Sequence, residues 1–558
     1  MRNPSETGRV KAQYIEQEIG VMMRFGYPGM NSARTVLAIQ AIAVVVGGLV
    51  ALAGSAVAAI ASALFVAAVL SVSRDGRTVA AYLSAAARYL LRRRGRSPLD
   101  ARTLVTVEQR GLPTGVVWNG SELSVVAELG VTGIGGWTTV GGEGIVSDVS
   151  VPFRVLSDSV SRTKAPIVLG VTTVGSRPVR GRRASDAYSS MAGTLASVSH
   201  RRTWLSLSMD VHDGASGISR RGGGVSGGAT VLTRHMSRLQ HILGTLGIEA
   251  TLLTADAIAD ADLFVSSGTP RRHVRTTWRA ATLGGTAWTS RRLRPNLWTN
   301  SIVDDVFDRD ASVTAMSVTT RADGDAVSTV GSYGQCAAVP VERDVTGSAT
   351  LDGEQHRGFD AILPSTARIA LPTSSVDPNA LDPLVFPVAG CGQILGVDGH
   401  GSAVAMRVYG PAVRSIRVRA ELYLVHQIVF RAVAIGATVV VVTDRHHAWR
   451  HLAASVADSG TLSVVAVESS QGHDADLVVA DHPSVRPVPT GSTVLHVDTD
   501  RRSGDADIEI DQADSSGDHV VVTIGHRSIA LRLVTTAAET EAIGRPRTTI
   551  RQRSHAPG

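Results

Sequence analysis

Asp498 and Asp500 follow the apolar run TVLHV as a D-x-D pair, an arrangement that can bring two oxygen ligands to a divalent metal and through it to a nucleotide diphosphate. Two carboxylates alone rarely define a site, and Arg501, Arg502 and Gly504 stand close by, so a solvated turn is the expected role. His446, His447 and His451 gather after another strand-like run. His447 and His451 have the i, i+4 spacing of two zinc ligands on one helix face. No third ligand and no HExxH glutamate accompanies them, which leaves surface or capping histidines. Gly390, Gly392 and Gly396 in AGCGQILG resemble a dinucleotide fingerprint, but such glycines follow a strand and open a helix. Here a VDGHG turn follows, and a hairpin accounts for them. The glycine-rich stretch 222–228 precedes a helical pattern and could hold an anion at a helix N-terminus. It lacks the Lys-Ser/Thr pair of a phosphate loop, so a flexible linker is expected. No G-x-S-x-G element occurs, and Cys336 and Cys391 are too few for a disulfide framework. These residues assign no catalytic group, no metal ligand and no cofactor site, and the protein is predicted not to be an enzyme.

The elements that surround them begin with residues 35–72, TVLAIQAIAVVVGGLVALAGSAVAAIASALFVAAVLSV, which contain no charged side chain. One helix of that length would measure about 57 Å against a hydrocarbon core of about 30 Å. Two helices of roughly 17–18 residues each, turning near Gly54 and Ser55, fit instead. Arg2, Arg9, Lys11, Arg24 and Arg34 precede the run, Arg74, Arg77, Arg88, Arg92, Arg93, Arg94 and Arg96 follow it, and the turn has no basic residue. Basic residues stay on the cytoplasmic side, which predicts a multi-pass protein of the inner (plasma) membrane with both termini cytoplasmic. A cleaved signal peptide, with an apolar core of about 7–15 residues, does not match. Without the basic cluster beside this run the remaining sequence is close to neutral, so the formal charge of +6 is no evidence for nucleic acid as a partner. The lipid bilayer, through its anionic headgroups, is the expected one. Residues 78–94, TVAAYLSAAARYLLRRR, carry Tyr82, Ala86, Tyr89 and Leu90 on one side at helical spacing. The arginines gather at the C-terminal end, where the helix dipole favours cations, and the segment reads as a helix continuing out of the membrane.

Beyond it the pattern is mixed α/β. Asn119 and Gly120 join two β-rich runs as a hairpin, and RTWLSLSMD alternates like a strand. A Ser, Arg and Gly-rich loop is expected over about 175–190. Val231, His235, Leu239, Ile242 and Leu246 mark one face of a helix, and Thr254 caps a second. Nearer the C-terminus, QILGVDGHGSAVAMRVYG is a hairpin about its DGHG turn. SIRVRA, a helix closed by Gly436, and TVVVVTD form a strand-helix-strand unit. Near-continuous Val/Ile runs after it predict a sheet buried on both faces. The expected division is a cytoplasmic N-terminal segment 1–34, a transmembrane helical hairpin 35–72, a juxtamembrane basic helix 73–98, a first cytosolic α/β domain 99–345, a Pro-rich linker 346–387, a C-terminal α/β domain 388–535 and a tail 536–558.

The order of these features resembles that of one family. GVVWNGSELSVVAEL (115–129), RTWLSLSMD (202–210), GGATVLTRHMSRLQHILGTLGIEATLLTADAI and, above all, the succession from GQILGVDGHGSAVAMRVYGP to LVHQIVFRAVAIGATVVVVTDRHHAW (392–449) resemble EccE, a membrane component of the actinobacterial type VII (ESX) secretion system. The resemblance extends over about residues 35–480, and the Pro/Gly-rich middle and the tail depart from it. It implies a structural subunit of an inner-membrane translocation complex, assembled with EccB, EccC and EccD beside the mycosin protease. It also implies a cytosolic part with a glycosyltransferase-like α/β fold lacking known activity. A membrane-anchored, nucleotide-sugar-dependent transferase is the alternative. Small residues such as Gly47, Gly48, Gly54 and Ala58 would let the hairpin pack against other transmembrane helices.

Overall fold

Uninterrupted Ala, Val, Ile and Leu form two helices, α1 (Ala33–Ala51) and α2 (Ala56–Ser71), in a computed structural model. The structure describes residues 33–544 except 53–55, 75–76, 95–101, 110, 132–135, 142–143, 148, 164, 177–181, 193–199, 308–310, 343–344, 367–370, 389–391, 411–412, 457–459, 468–474, 484–491, 498–505 and 513–516. Helices α1 and α2 pack on each other. A Cβ on Gly47 would stand 3.1 Å from the Ala63 Cβ and 3.2 Å from the Ala59 carbonyl oxygen, whereas one on Gly48 would meet open space. Val44, Val45, Leu49, Val57 and Phe65 are exposed.

The two helices expected over 35–72 are present, but the described residues do not support reading them as membrane spans. Helix α2 has 16 residues, about 24 Å of helix against a core of about 30 Å. Among the described residues no helix is long and apolar enough to cross a membrane. The turn proposed at Gly54 and Ser55 lies outside the described residues, as do 1–32. After α2 the chain reverses, with Ser73 paired to Thr78 and Arg74 to Arg77, and the Val79 amide donates to the Val72 carbonyl oxygen at 2.9 Å. Helix α3 (Val79–Arg94) then begins and touches both α1 and α2. It is therefore a separate helix and does not continue α2.

Residues 96–558 form the second compact unit, built on two sheets. The first is antiparallel throughout its long strands: β1 (Thr103–Gln109), β2 (Leu112–Trp118), β3 (Glu122–Val131), β4 (Ile167–Ser176), β5 (His200–Asp210), β6 (Thr286–Leu293), β7 (Val313–Asp323) and β8 (Ala326–Ala337), in the order β6-β8-β7-β4-β5-β3-β2-β1. Period-two alternation divides its side chains. Leu205, Leu207 and Met209 of β5 join the core under α4 (Phe153–Ser161) and α6 (Gly224–Thr245), while Trp204 joins the opposite core with Ile258 and Val265 of α7 (Ala255–Val265). The Asn119-Gly120 turn forms as expected. The Asn119 side chain accepts from the Glu122 amide at 2.8 Å, and Gly120 takes φ +94°. Thr254 caps α7, its hydroxyl accepting from the Ala257 amide at 3.3 Å.

The second sheet contains β9 (Gln393–Val397), β10 (Ala403–Met406), β11 (Ser415–Arg419), β12 (Val439–Thr443), β13 (Leu462–Val465), β14 (Leu477–Asp481), β15 (Thr493–Val497), β16 (Ile508–Gln512), β17 (His519–Ile524) and β18 (Arg527–Arg532). Their order is β13-β12-β14-β15-β11-β16-β17-β18-β9-β10, and strands Thr138–Gly141 and Gly144–Ser147 extend it beyond β10. Strands β13 to β16 of that order run parallel to one another through β11, as the Val/Ile runs predicted. Helix α8 (Leu422–Ala434) is buried almost all round. Its C-terminus closes as the sequence predicts: Gly436, at φ +102°, donates to Val433, and Ala437 to Ala432, the two bonds of a Schellman motif.

Two stretches differ from expectation. The loop expected over 175–190 contains α5 (Arg182–Ala192), whose Ala184 and Ala187 are buried against α8. From Gly224 the glycine-rich stretch 222–228 is the start of α6 and no linker: a Cβ on Gly228 would lie 2.2 Å from the Leu123 Cδ1 and one on Gly227 2.7 Å from the Ile218 carbonyl oxygen. These glycines bring α6 onto its neighbours. Within 346–387 the chain forms strands Ser348–Thr350 and Ser374–Val376, paired to β6 and β8, and helix Gln355–Ala361.

Candidate functional site

In open α/β sheets, ligands bind beyond the carboxyl ends of parallel strands. At that edge Arg419 ends β11, Thr443 ends β12 with Asp444 and Arg445 after it, and Asp481 ends β14 with His482 after it. Asp481 is buried. Its Oδ2 accepts from Thr443 Oγ1, Arg445 Nε and Trp449 Nε1, each at 2.8 Å, and its Oδ1 pairs with Arg445 Nη2. Burial pushes the Asp481 carboxyl up, but the hydrogen bonds from Arg445, Trp449 and Thr443 outweigh it and hold the group below the usual carboxylate range. Trp449 belongs to α9 (His446–Val456), so this carboxylate ties the start of α9 to the strand ends. The His426 ring of α8 stands edge-on to Trp449, centroids 4.6 Å apart. Burial lowers its pKa to about 4, against the opposing pull of Asp481.

Chemically, this constellation is a brace. Three donors converge on Asp481 Oδ2 and Arg445 holds Oδ1, so the carboxylate is committed to fastening these groups together. Arg419 is engaged likewise, its Nη2 lying 2.6 Å from Asp511 Oδ2 and 3.3 Å from Glu509 Oε2 on β16. Deeper in the fold, Arg431 of α8 is buried with Glu539 of α10 (Ala537–Ile543): Nε to Oε1 is 2.7 Å and Nη2 to Oε2 is 2.9 Å. Arg431 Nη1 also donates to the Ile394 carbonyl oxygen at 2.7 Å. Beside it, Gln393, Gln427 and Ile510 line a cavity of only about 10 Å³, far below the ~300–1,000 Å³ of ordinary ligand pockets.

The residues singled out from sequence fall as follows. Asp498 and Asp500, beyond the carboxyl end of β15, lie outside the described residues, as do Gly390 and Cys391. His446, His447 and His451 are exposed on α9, and His451 Nε2 is 2.8 Å from the Glu541 carbonyl oxygen. Among the described residues no group of three His, Cys, Asp or Glu side chains is placed to hold a metal. Gly392 and Gly396 are hairpin residues. A Cβ on Gly392 would meet the Met406 carbonyl oxygen at 2.1 Å, and one on Gly396 the Arg532 carbonyl oxygen at 2.6 Å. Cys336 is buried on β8, its thiol 3.3 Å from Thr286 Oγ1. Sequence reasoning missed Asp481, Arg445, Trp449, His426, Arg431 and Glu539. The only signal for the first three was a polar residue at the ends of VVVVTD and DLVVAD.

Comparison with known proteins places the recognisable part of the chain elsewhere. No curated protein matches it. Residues 197–292 match the family model EccE, described as "Putative type VII ESX secretion system translocon, EccE". That segment runs from the start of β5 through α6 and α7 into β6, and contains no residue of the parallel-sheet edge. Neither this match nor the geometry lends support to the transferase alternative or to a glycosyltransferase-like fold. Over residues 197–292, therefore, the chain resembles the EccE family, whose model is described as a putative type VII ESX secretion system translocon.

Proposed function

We propose that this protein is a structural, non-catalytic subunit of the inner-membrane type VII secretion complex, held in the membrane by α1 and α2 and docking neighbouring subunits through its cytosolic unit. The match over residues 197–292 is the observation that carries the reading. The apolar exposed surface of α1 and α2 supports the membrane part. An apolar stretch shorter than the hydrocarbon core can be accommodated by bilayer thinning and by flanking residues that snorkel to the interface, and arginines flank both ends of this one. Both termini are then cytoplasmic, and EccB, EccC and EccD are the neighbours to expect.

Affinity purification of the tagged chain from inner membranes is expected to recover other membrane subunits of the translocon. Deleting the chain is expected to stop secretion, whereas Asp498→Asn with Asp500→Asn at matched expression leaves it intact. Recovery of the chain alone, with secretion undisturbed by its deletion, would overturn the proposal. Loss of secretion in the double Asn variant, joined to manganese-dependent nucleotide-sugar binding by the wild type, would overturn the non-catalytic reading.

A further inference from the structure

Helix α3 combines features that neither a cytosolic helix nor a membrane span needs. Leu83, Leu90 and Leu91 are 53%, 57% and 69% exposed, and Tyr82 is exposed beside them. At about 100° per residue, Leu83 and Leu90 lie within about 20° of each other and Leu91 about 80–100° from them. Arg88 lies about 140–160° from that pair, and Ala85, across the helix, is fully buried. The leucines therefore form one outward stripe. Between Asp75 and Asp100 the sequence contains no acidic residue but carries Arg77, Arg88, Arg92, Arg93, Arg94 and Arg96. The reversal at 73–78 folds the chain back at the end of α2 and leaves α3 in contact with both α1 and α2. Its apolar stripe thus belongs to the same unit as the exposed apolar surface of those two helices.

We propose that α3 lies in the interfacial plane of an anionic phospholipid bilayer, its leucine stripe among the upper acyl chains and its arginine-rich end among the phosphates. The stripe supplies apolar burial at the headgroup boundary. Tyrosine favours that depth, and an acid-free run of arginines is complementary to anionic headgroups. The inference rests on the membrane reading of α1 and α2, and its test separates the two.

In the full chain carrying Cys336→Ser and Cys391→Ser, single cysteines are introduced as Leu83→Cys, Arg88→Cys and Leu90→Cys, with Val45→Cys and Phe65→Cys as controls. Each is labelled with an environment-sensitive fluorophore and reconstituted in phosphatidylcholine vesicles with and without phosphatidylglycerol. Labels at 45 and 65 are expected to be quenched by nitroxides deep in the acyl chains. Labels at 83 and 90 should be quenched by shallow nitroxides and shift further to the blue with phosphatidylglycerol, while the label at 88 stays open to an aqueous quencher. Deep-quenched controls with water-exposed labels at 83 and 90 overturn the interfacial helix and leave the membrane reading standing. Labels at 83 and 90 shielded from lipid and water alike identify a protein partner and also overturn it, and deep quenching at 88 would make α3 a further span. Controls untouched by lipid quenchers overturn both proposals.

Discussion

Asp481 and His426 both contact Trp449, and their environments move the two groups in a way that pH can reveal. His426 has its folded pKa near 4, below an unfolded value of about 6.5. The unfolded chain therefore binds more protons between those values, and stability falls as pH drops from about 6.5 towards 4, by up to about 1.4 kcal/mol per pH unit. Asp481, held low, withdraws its own contribution only as pH falls below its unfolded value of about 3.9. Asp262, which burial pushes up, opposes the trend by gaining stability as it protonates. Because both acids remain in a His426→Phe variant, the difference between variant and wild type isolates the histidine. Urea unfolding at about pH 7 and about pH 5 should show the wild type losing some 2 kcal/mol more than the variant; equal losses would place His426 in an ordinary solvated environment. None of this was visible in sequence, since the groups that meet at Trp449 come from α8, β12 and β14 and only the fold brings them together.

Glycine has opposite meanings at different points of α6. A Cβ at Gly227 would press on the Ile218 carbonyl oxygen at 2.7 Å, a backbone atom with little room to retreat, while Gly244 in the same helix faces open space. Gly244→Ala should stabilise the protein by about 0.5–1 kcal/mol through helix propensity, and Gly227→Ala should destabilise it by about 1–3 kcal/mol through overpacking. Thermal or urea unfolding of the two variants decides the matter, and two stabilised variants would return the glycine-rich stretch to the role of a spacer. The same contrast explains what could be read in advance. Helix α6, the Thr254 cap, the turns at Asn119 and Asp398 and the Schellman end of α8 follow from local rules of spacing and turn chemistry. The close approach of α6 to Leu123 and the burial of α5 do not, because tertiary contacts there override a composition that favours loops. Gly47 belongs with them: its contact is with α2 of its own hairpin, a pairing that sequence could not distinguish from a surface kept for another subunit.

At the scale of the whole chain, the two sheets of the second unit do not correspond to consecutive halves of the sequence. Strand Thr138–Gly141, from the early part, pairs with β10, and Ala184 and Ala187 of α5 belong to the core built around α8. The Tyr188 hydroxyl accepts from the Ile394 amide at 2.9 Å, and the Tyr409 hydroxyl lies 2.6 Å from His200 Nε2. At the other end, Glu539 of α10 closes on Arg431, so residues past 535 reach into the same core. A boundary at 345 or 388 is suggested by proline content, which reports backbone stiffness and carries no information on which strands share a sheet. A fragment of residues 388–558 would uncover α8 where α5 covers it and expose the edge of β10 to pairing with other chains, an aggregation hazard. Expressed alone it should therefore be poorly soluble and lack a cooperative melt, whereas co-expression with residues 96–345 should restore a soluble complex of the two pieces. Size-exclusion chromatography and near-ultraviolet circular dichroism test this directly. A monomeric 388–558 fragment that melts cooperatively would mean that the parallel sheet folds independently, and that the early strands and α5 are additions to a complete domain.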